Sequence, residues 1–202
     1  MTVDMSTRNC YTNLLHIKGE IMKKFFAILA LALTGSAFAQ SVTLGYTDID
    51  NATGNDQKMY SLAVRAPINK SLTIDAVSHT VHTENSNSVG GRLEGGLTAT
   101  APLGPVTGYV RTAVGRRFTT STDWNYYSVE PGVRVPVGPF TASLGYRFRD
   151  AFDNTAFADQ TRAVRTSLSY ALSKKDSITL AYDRVNGDSD QKNMALSYTR
   201  AF

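Results

Sequence analysis

The chain of 202 residues holds a single cysteine, Cys10, close to its start. One thiol builds neither a disulfide framework nor a thiolate metal site. Histidine is nearly as scarce, with three in the chain and only His79 and His82 beyond residue 39. A strong excess of one charge is also missing: 21 Lys and Arg stand against 17 Asp and Glu, a formal net charge of +4 at pH 7. That balance argues against a nucleic-acid partner. From Gln40 onward no run approaches 18 consecutive apolar residues, so no membrane-spanning helix is encoded. Heptads, low-complexity tracts, phosphate-binding glycine loops and dinucleotide fingerprints are absent, and no cofactor or metal is expected.

What is present begins with a targeting pattern. Met22-Lys23-Lys24 precedes an apolar run of nine residues, Phe25 to Leu33, and Ala37-Phe38-Ala39 follows it. A basic start, a short apolar stretch and a small-x-small exit are the layout of a secretory signal peptide, and nine residues are too few to cross a bilayer as a helix. The reading predicts a signal over 22–39, cleavage between Ala39 and Gln40, and one domain over 40–202. Residues 1–21 are read as an extension from a mis-assigned translation start, because Lys18-Gly19-Glu20 is encodable by a purine-rich, ribosome-binding-like run just before the Met22 codon.

Beyond residue 40, apolar and polar residues alternate. Ala142, Leu144, Tyr146 and Phe148 share one parity, while Ser143, Gly145, Arg147 and Arg149 share the other. Side chains of a strand point to opposite faces with period two. The alternation predicts ten strands: 41–48, 58–67, 71–82, 89–101, 106–118, 126–137, 141–149, 161–172, 177–184 and 192–202. Eight strands is the alternative count. Most match the roughly 9–11 residues that a tilted strand needs to cross a bilayer. Tight turns are read at 67–70, 102–105, 138–140 and 173–176. Longer acidic loops are read at 48–57, 83–88, 119–125, 150–159 and 185–191. Short turns at one end and longer loops at the other suit an antiparallel transmembrane up-and-down β-barrel with both termini at the turn end.

On these residues the chain resembles the small bacterial outer-membrane β-barrels, such as the barrel domain of outer membrane protein A and related porin-like barrels. The sharpest motif is the final strand, Met194 to Phe202, in which Leu196, Tyr198 and Phe202 resemble the signal read by the barrel-assembly machinery. Arg200 departs from that pattern and is expected to snorkel at the interface. The resemblance implies outer-membrane localisation with periplasmic termini. It also implies contact with outer-membrane lipids, including lipopolysaccharide, and a monomer.

The two parities carry different chemistry. One includes Leu44, Tyr46, Ile74, Leu97, Val110, Val133, Leu144, Leu168, Leu180 and Leu196, and is expected to face lipid. Pro131 falls on this face in mid-strand, which predicts a bulge. The other parity carries Arg65, Asp75, Arg92, Glu94, Arg111, Arg117, Glu130, Arg134, Arg147, Arg149, Arg165 and Asp183. Eight arginines against four acids predict an ion-paired plug or, alternatively, a narrow aqueous path favouring anions. The small inward residues Gly45, Gly96, Gly115, Gly132, Gly145, Ser167 and Ser169 are expected to leave room for water. Lys58, Arg116, Arg162, Arg184 and Lys192 share the lipid parity at the loop end and are candidates for pairing lipopolysaccharide phosphates.

No catalytic constellation is evident. His82, with Ser78, Ser86, Ser88 and Glu84 nearby in sequence, is the one weak candidate for a lipid-modifying hydrolase. The acidic stretches Asp48–Asn51 with Asp56, and Asp188–Asp190, lack the length and bidentate glutamate of a calcium loop. The expected role is non-enzymatic, structural or surface-presenting. Porin-like anion passage is the first alternative and the hydrolase the second. A soluble β-sandwich is the residual fold.

Overall fold

The structure is a computed structural model that describes residues 40–52, 54, 56–84, 89–119, 123–153 and 160–202. The predicted signal, its cleavage residue Ala39 and the upstream extension lie outside the described residues.

Ten strands form, all antiparallel to their neighbours: β1 Ser41–Asn51, β2 Gln57–Asn69, β3 Leu72–Thr83, β4 Val89–Leu103, β5 Val106–Phe118, β6 Asp123–Val137, β7 Phe140–Ala151, β8 Thr161–Ala171, β9 Asp176–Gly187 and β10 Gln191–Ala201. Each pairs with the next in sequence, and β1 pairs with β10, so the sheet closes into a barrel without an edge. Closure excludes both the eight-strand count and the sandwich. The seam runs from Ser41 opposite Ala201 to Asn51 opposite Gln191. It is extended when the Phe202 amide donates to the Gln40 carbonyl at 3.0 Å.

All four tight turns lie at one end with the two termini. In two of them Gly104 and Gly138 adopt φ of 66° and 59° immediately before Pro105 and Pro139. That is the first central position, which a type II′ hairpin turn reserves for glycine, and proline's fixed φ suits the next. In a third, the Ser173 hydroxyl oxygen accepts the amides of Lys175 and Asp176, each at 3.0 Å.

Three local expectations are corrected. Residues 67–69 are strand rather than turn, with the register shifting between Pro67 and Asn69 as the hairpin closes. Asp48–Asn51 are also strand, because Ile49 keeps the inward alternation and is buried. Pro131 causes no bulge. Val129 pairs with Phe148, and Gly132 with Gly145, so neither strand gains a residue, and Pro131 still lies opposite Val110 of β5. The missing N–H only interrupts the β6–β7 pairing. A slip would invert every following side chain between lipid and lumen, which costs far more than one lapsed ladder step.

The alternation resolves as apolar outside and polar inside. Leu44, Leu144, Leu180 and Leu196 are each more than half exposed on the outer wall. Together they belong to an apolar outer face of a kind that soluble monomers rarely expose. Aromatic pairs flank it: Phe140 with Tyr170, centroids 5.0 Å apart, towards the turns, and Tyr127 with Phe152, 5.4 Å apart, towards the loops. Those are the positions of interfacial aromatic girdles.

Candidate functional site

All twelve predicted inward charges face the lumen, and they sort by height. At the waist, Arg111 of β5 forks onto Asp75 of β3, with Nε 3.1 Å from Oδ1 and Nη2 2.5 Å from Oδ2. Its Nη1 lies 2.6 Å from Glu94 Oε1 on β4. Arg165 of β8 repeats the arrangement on the other side: Nη1 lies 2.7 Å from Glu130 Oε2 on β6, and Nε 3.0 Å from Asp183 Oδ2 on β9. Each arginine therefore joins two acids from different strands. The planar fork matches carboxylate geometry and is charged at any physiological pH.

Two tyrosines complete the waist. Tyr109 donates to Glu130 Oε1 at 3.1 Å, and Tyr126 donates to Glu94 Oε2 at 2.9 Å. Both are buried, Tyr126 completely. Arg134 stacks over the Tyr109 ring at 4.5 Å and Arg149 over the Tyr126 ring at 5.4 Å. These stacks tie the waist to the levels on either side.

Of the glycines expected to leave room for water, Gly96, Gly115, Gly132 and Gly145 are occupied by these side chains instead. A Cβ on Gly96 would lie 2.6 Å from Arg111 Nη2, and one on Gly115 would lie 2.5 Å from Tyr126 Cζ. Gly132 and Gly145 both face the Tyr109 hydroxyl, 2.5 Å from where their Cβ atoms would be. The small serines pair across strands: Ser143 with Ser167 at 2.6 Å, and Ser169 with Thr179 at 2.8 Å.

Charge is uneven along the axis. The waist holds two arginines and four acids. Towards the turns lie Arg65 and Arg134, and towards the loops Arg92, Arg117, Arg147 and Arg149. The loop-end arginines line a cavity of about 230 Å³ above the waist.

The outer candidates divide as well. Lys58 pairs with Glu84 at 2.5 Å, and Arg116 with Asp123 at 3.2 Å. Arg162, Arg184 and Lys192 are exposed on the neighbouring strands β8, β9 and β10, and form no ion pair among the described residues. Arg200 lies opposite Asp176 of β9, with Nη1 3.7 Å from Oδ1, and Tyr198 donates to the same oxygen at 2.5 Å. An ion pair on the next strand thus accommodates the departure from the terminal motif. His82 is exposed opposite Lys58, but Glu84, the acid that would orient it, is held by that lysine. Ser86 and Ser88 lie outside the described residues.

Sequence reasoning missed Tyr109 and Tyr126 as partners of the acids. Their parity with Arg111 and Glu130 already placed them inside, but an aromatic side chain reads as lipid-facing when only its type is considered.

No protein-family model matches the chain, and no curated protein matches it. Its fold is similar to those of solved structures that include the following two. The β domain of the Bordetella autotransporter BrkA is 9% identical, with a TM-score of 0.52 over 81% of this chain and 99% of that one. An outer membrane channel from Pseudomonas putida F1 is 11% identical, with a TM-score of 0.51 over 82% of this chain and 96% of that one. The chain has the fold of a transmembrane β-barrel. At such identities the likeness carries the fold, and the lumen of this barrel must speak for its function.

Proposed function

We propose that the protein is a non-enzymatic integral barrel of the bacterial outer membrane whose lumen is closed at the waist. Its role is to support the membrane and to present short loops outside, with both termini periplasmic and insertion guided by the final strand. The observation that carries this is the pair of arginine networks, Arg111 with Asp75 and Glu94, and Arg165 with Glu130 and Asp183, which engage all four inward acids. Paired groups held by packed glycines and tyrosines offer an ion no mobile water chain. Planar-bilayer recording tests it. The purified protein should be silent, and Arg111→Ala or Glu130→Ala should produce discrete openings in protein shown to be folded. Anion-biased openings of the unmodified protein would replace this reading with the porin-like one, which the basic zones on both sides of the waist favour.

The lipopolysaccharide contact narrows to Arg162, Arg184 and Lys192, because Lys58 and Arg116 already have carboxylates. Neutralising the three together should lower co-purifying lipopolysaccharide, and neutralising Lys58 and Arg116 should not. Unchanged lipid content in the triple variant would remove the assignment.

A further inference from the structure

We propose that the loop-end basin of the lumen binds a compact oxyanion carrying a phosphate or carboxylate group. Four arginines from three strands converge on it: Arg92 of β4, its register partner Arg117 of β5, and Arg147 and Arg149 of β7. No carboxylate is among the described residues that line the cavity. The four inward acids lie below it and are engaged by Arg111 and Arg165.

Two of the four arginines have no carboxylate partner among the described residues. Arg92 donates from Nη2 to Met59 Sδ at 3.2 Å, and a thioether is a weak acceptor. Arg147 buries its Nε with no hydrogen-bond partner. A guanidinium withdrawn from water without a counter-charge is costly, and so is an unmet donor. An anion entering from the loop end supplies the missing counter-charge. Its oxygens match the guanidinium fork.

The cavity suits a small ligand. Its volume is about 230 Å³. It lies below the roughly 300–1,000 Å³ of pockets for drug-sized ligands. The amides of Gln57, Gln191 and Asn193 line the same space and offer polar contacts to any small group attached to the anion. Because the basin lies above the waist, the inference holds whether or not the waist conducts.

The chain supplies its own reporter. Trp124 is its only tryptophan, and the Arg117 guanidinium stacks 5.0 Å from its ring. The purified full chain in detergent is titrated with sodium phosphate at constant ionic strength, with chloride exchanged for phosphate, while tryptophan fluorescence is read. A saturable change is expected. Arg92→Gln and Arg147→Gln should each weaken it about tenfold or more, as loss of a charge-assisted hydrogen bond implies. Lys174→Gln, in a turn at the opposite end, should leave it unchanged. Acetate at the same ionic strength separates a general carboxylate site from one selective for phosphate. A response that chloride alone reproduces, or one unchanged in both arginine variants, overturns the proposal. Removing a buried arginine can impair folding, so equilibrium dialysis of labelled phosphate against the unmodified chain provides an independent test. Absence of bound phosphate there overturns the proposal without any variant.

Discussion

A single methyl group distinguishes the lumen from the outer wall. A Cβ on Gly132 would collide with the Tyr109 ring and with the Leu144 carbonyl oxygen at 2.6 Å, whereas one on Gly95 would meet nothing within 4 Å. Gly132→Ala should therefore destabilise the barrel by about 1–3 kcal/mol, the usual cost of overpacking, and Gly95→Ala should be close to neutral. Equilibrium urea unfolding in lipid vesicles reads both, and equal effects would refute the packing argument. At the loop end, Lys58 beside Glu84 holds that carboxyl below its ordinary 4.5. With the folded value depressed, the pair's contribution is complete above pH 4.5 and is lost as pH falls through the lower folded value. An NMR titration of the Glu84 side chain should give a midpoint below 4.5 that returns towards it in Lys58→Met. An unshifted midpoint in the unmodified protein would show that the pair does not persist in solution. Individual roles were only partly legible in the sequence. Parity assigned Arg111 to the lumen but not to Asp75, two strands away, because the reach of a side chain across a curved wall depends on barrel geometry.

At the level of the strand, height decides what a substitution costs. Leu196 lies midway along β10, opposite Tyr46 and Leu180. Leu196→Arg should cost about 2–4 kcal/mol, and Ile178→Arg, level with Tyr170 and Tyr198 in the girdle, only about 0–1. Unfolding in bilayers of fixed thickness measures the difference, and equal costs would mean that the belt is placed wrongly. Strand identity was legible throughout: every predicted strand is present, and the ends moved by at most a few residues. The errors fall where a local rule met a longer-range demand. Asp48–Asn51 read as an acidic loop but pair with β10, and Pro131 read as a bulge but holds register between two complete neighbours.

For the molecule as a whole, the six paired lumen charges form two sets, each built on one arginine. Arg111 is largely buried, with 15% of its side chain exposed, against 3% for Asp75 and 14% for Glu94. Removing it alone strands two acids, so Arg111→Met should cost about 3–5 kcal/mol. Adding Asp75→Asn and Glu94→Gln should recover part of that loss. A triple variant no more stable than the single one would show that the acids are hydrated rather than paired. The same partition explains the axial field. With the acids gathered at the waist, the basic excess is displaced to the two mouths, chiefly the loop end, where Arg92 and Arg147 have no carboxylate partner among the described residues.

The sequence by itself determined the strands, their two faces, and which charges go inside, because these follow from a period of two along one chain. The tertiary structure alone decided that tyrosines fill the glycine spaces and that the acids collect at one level. Those facts depend on the stagger and curvature of a closed barrel, which bring together residues from strands that no local pattern relates.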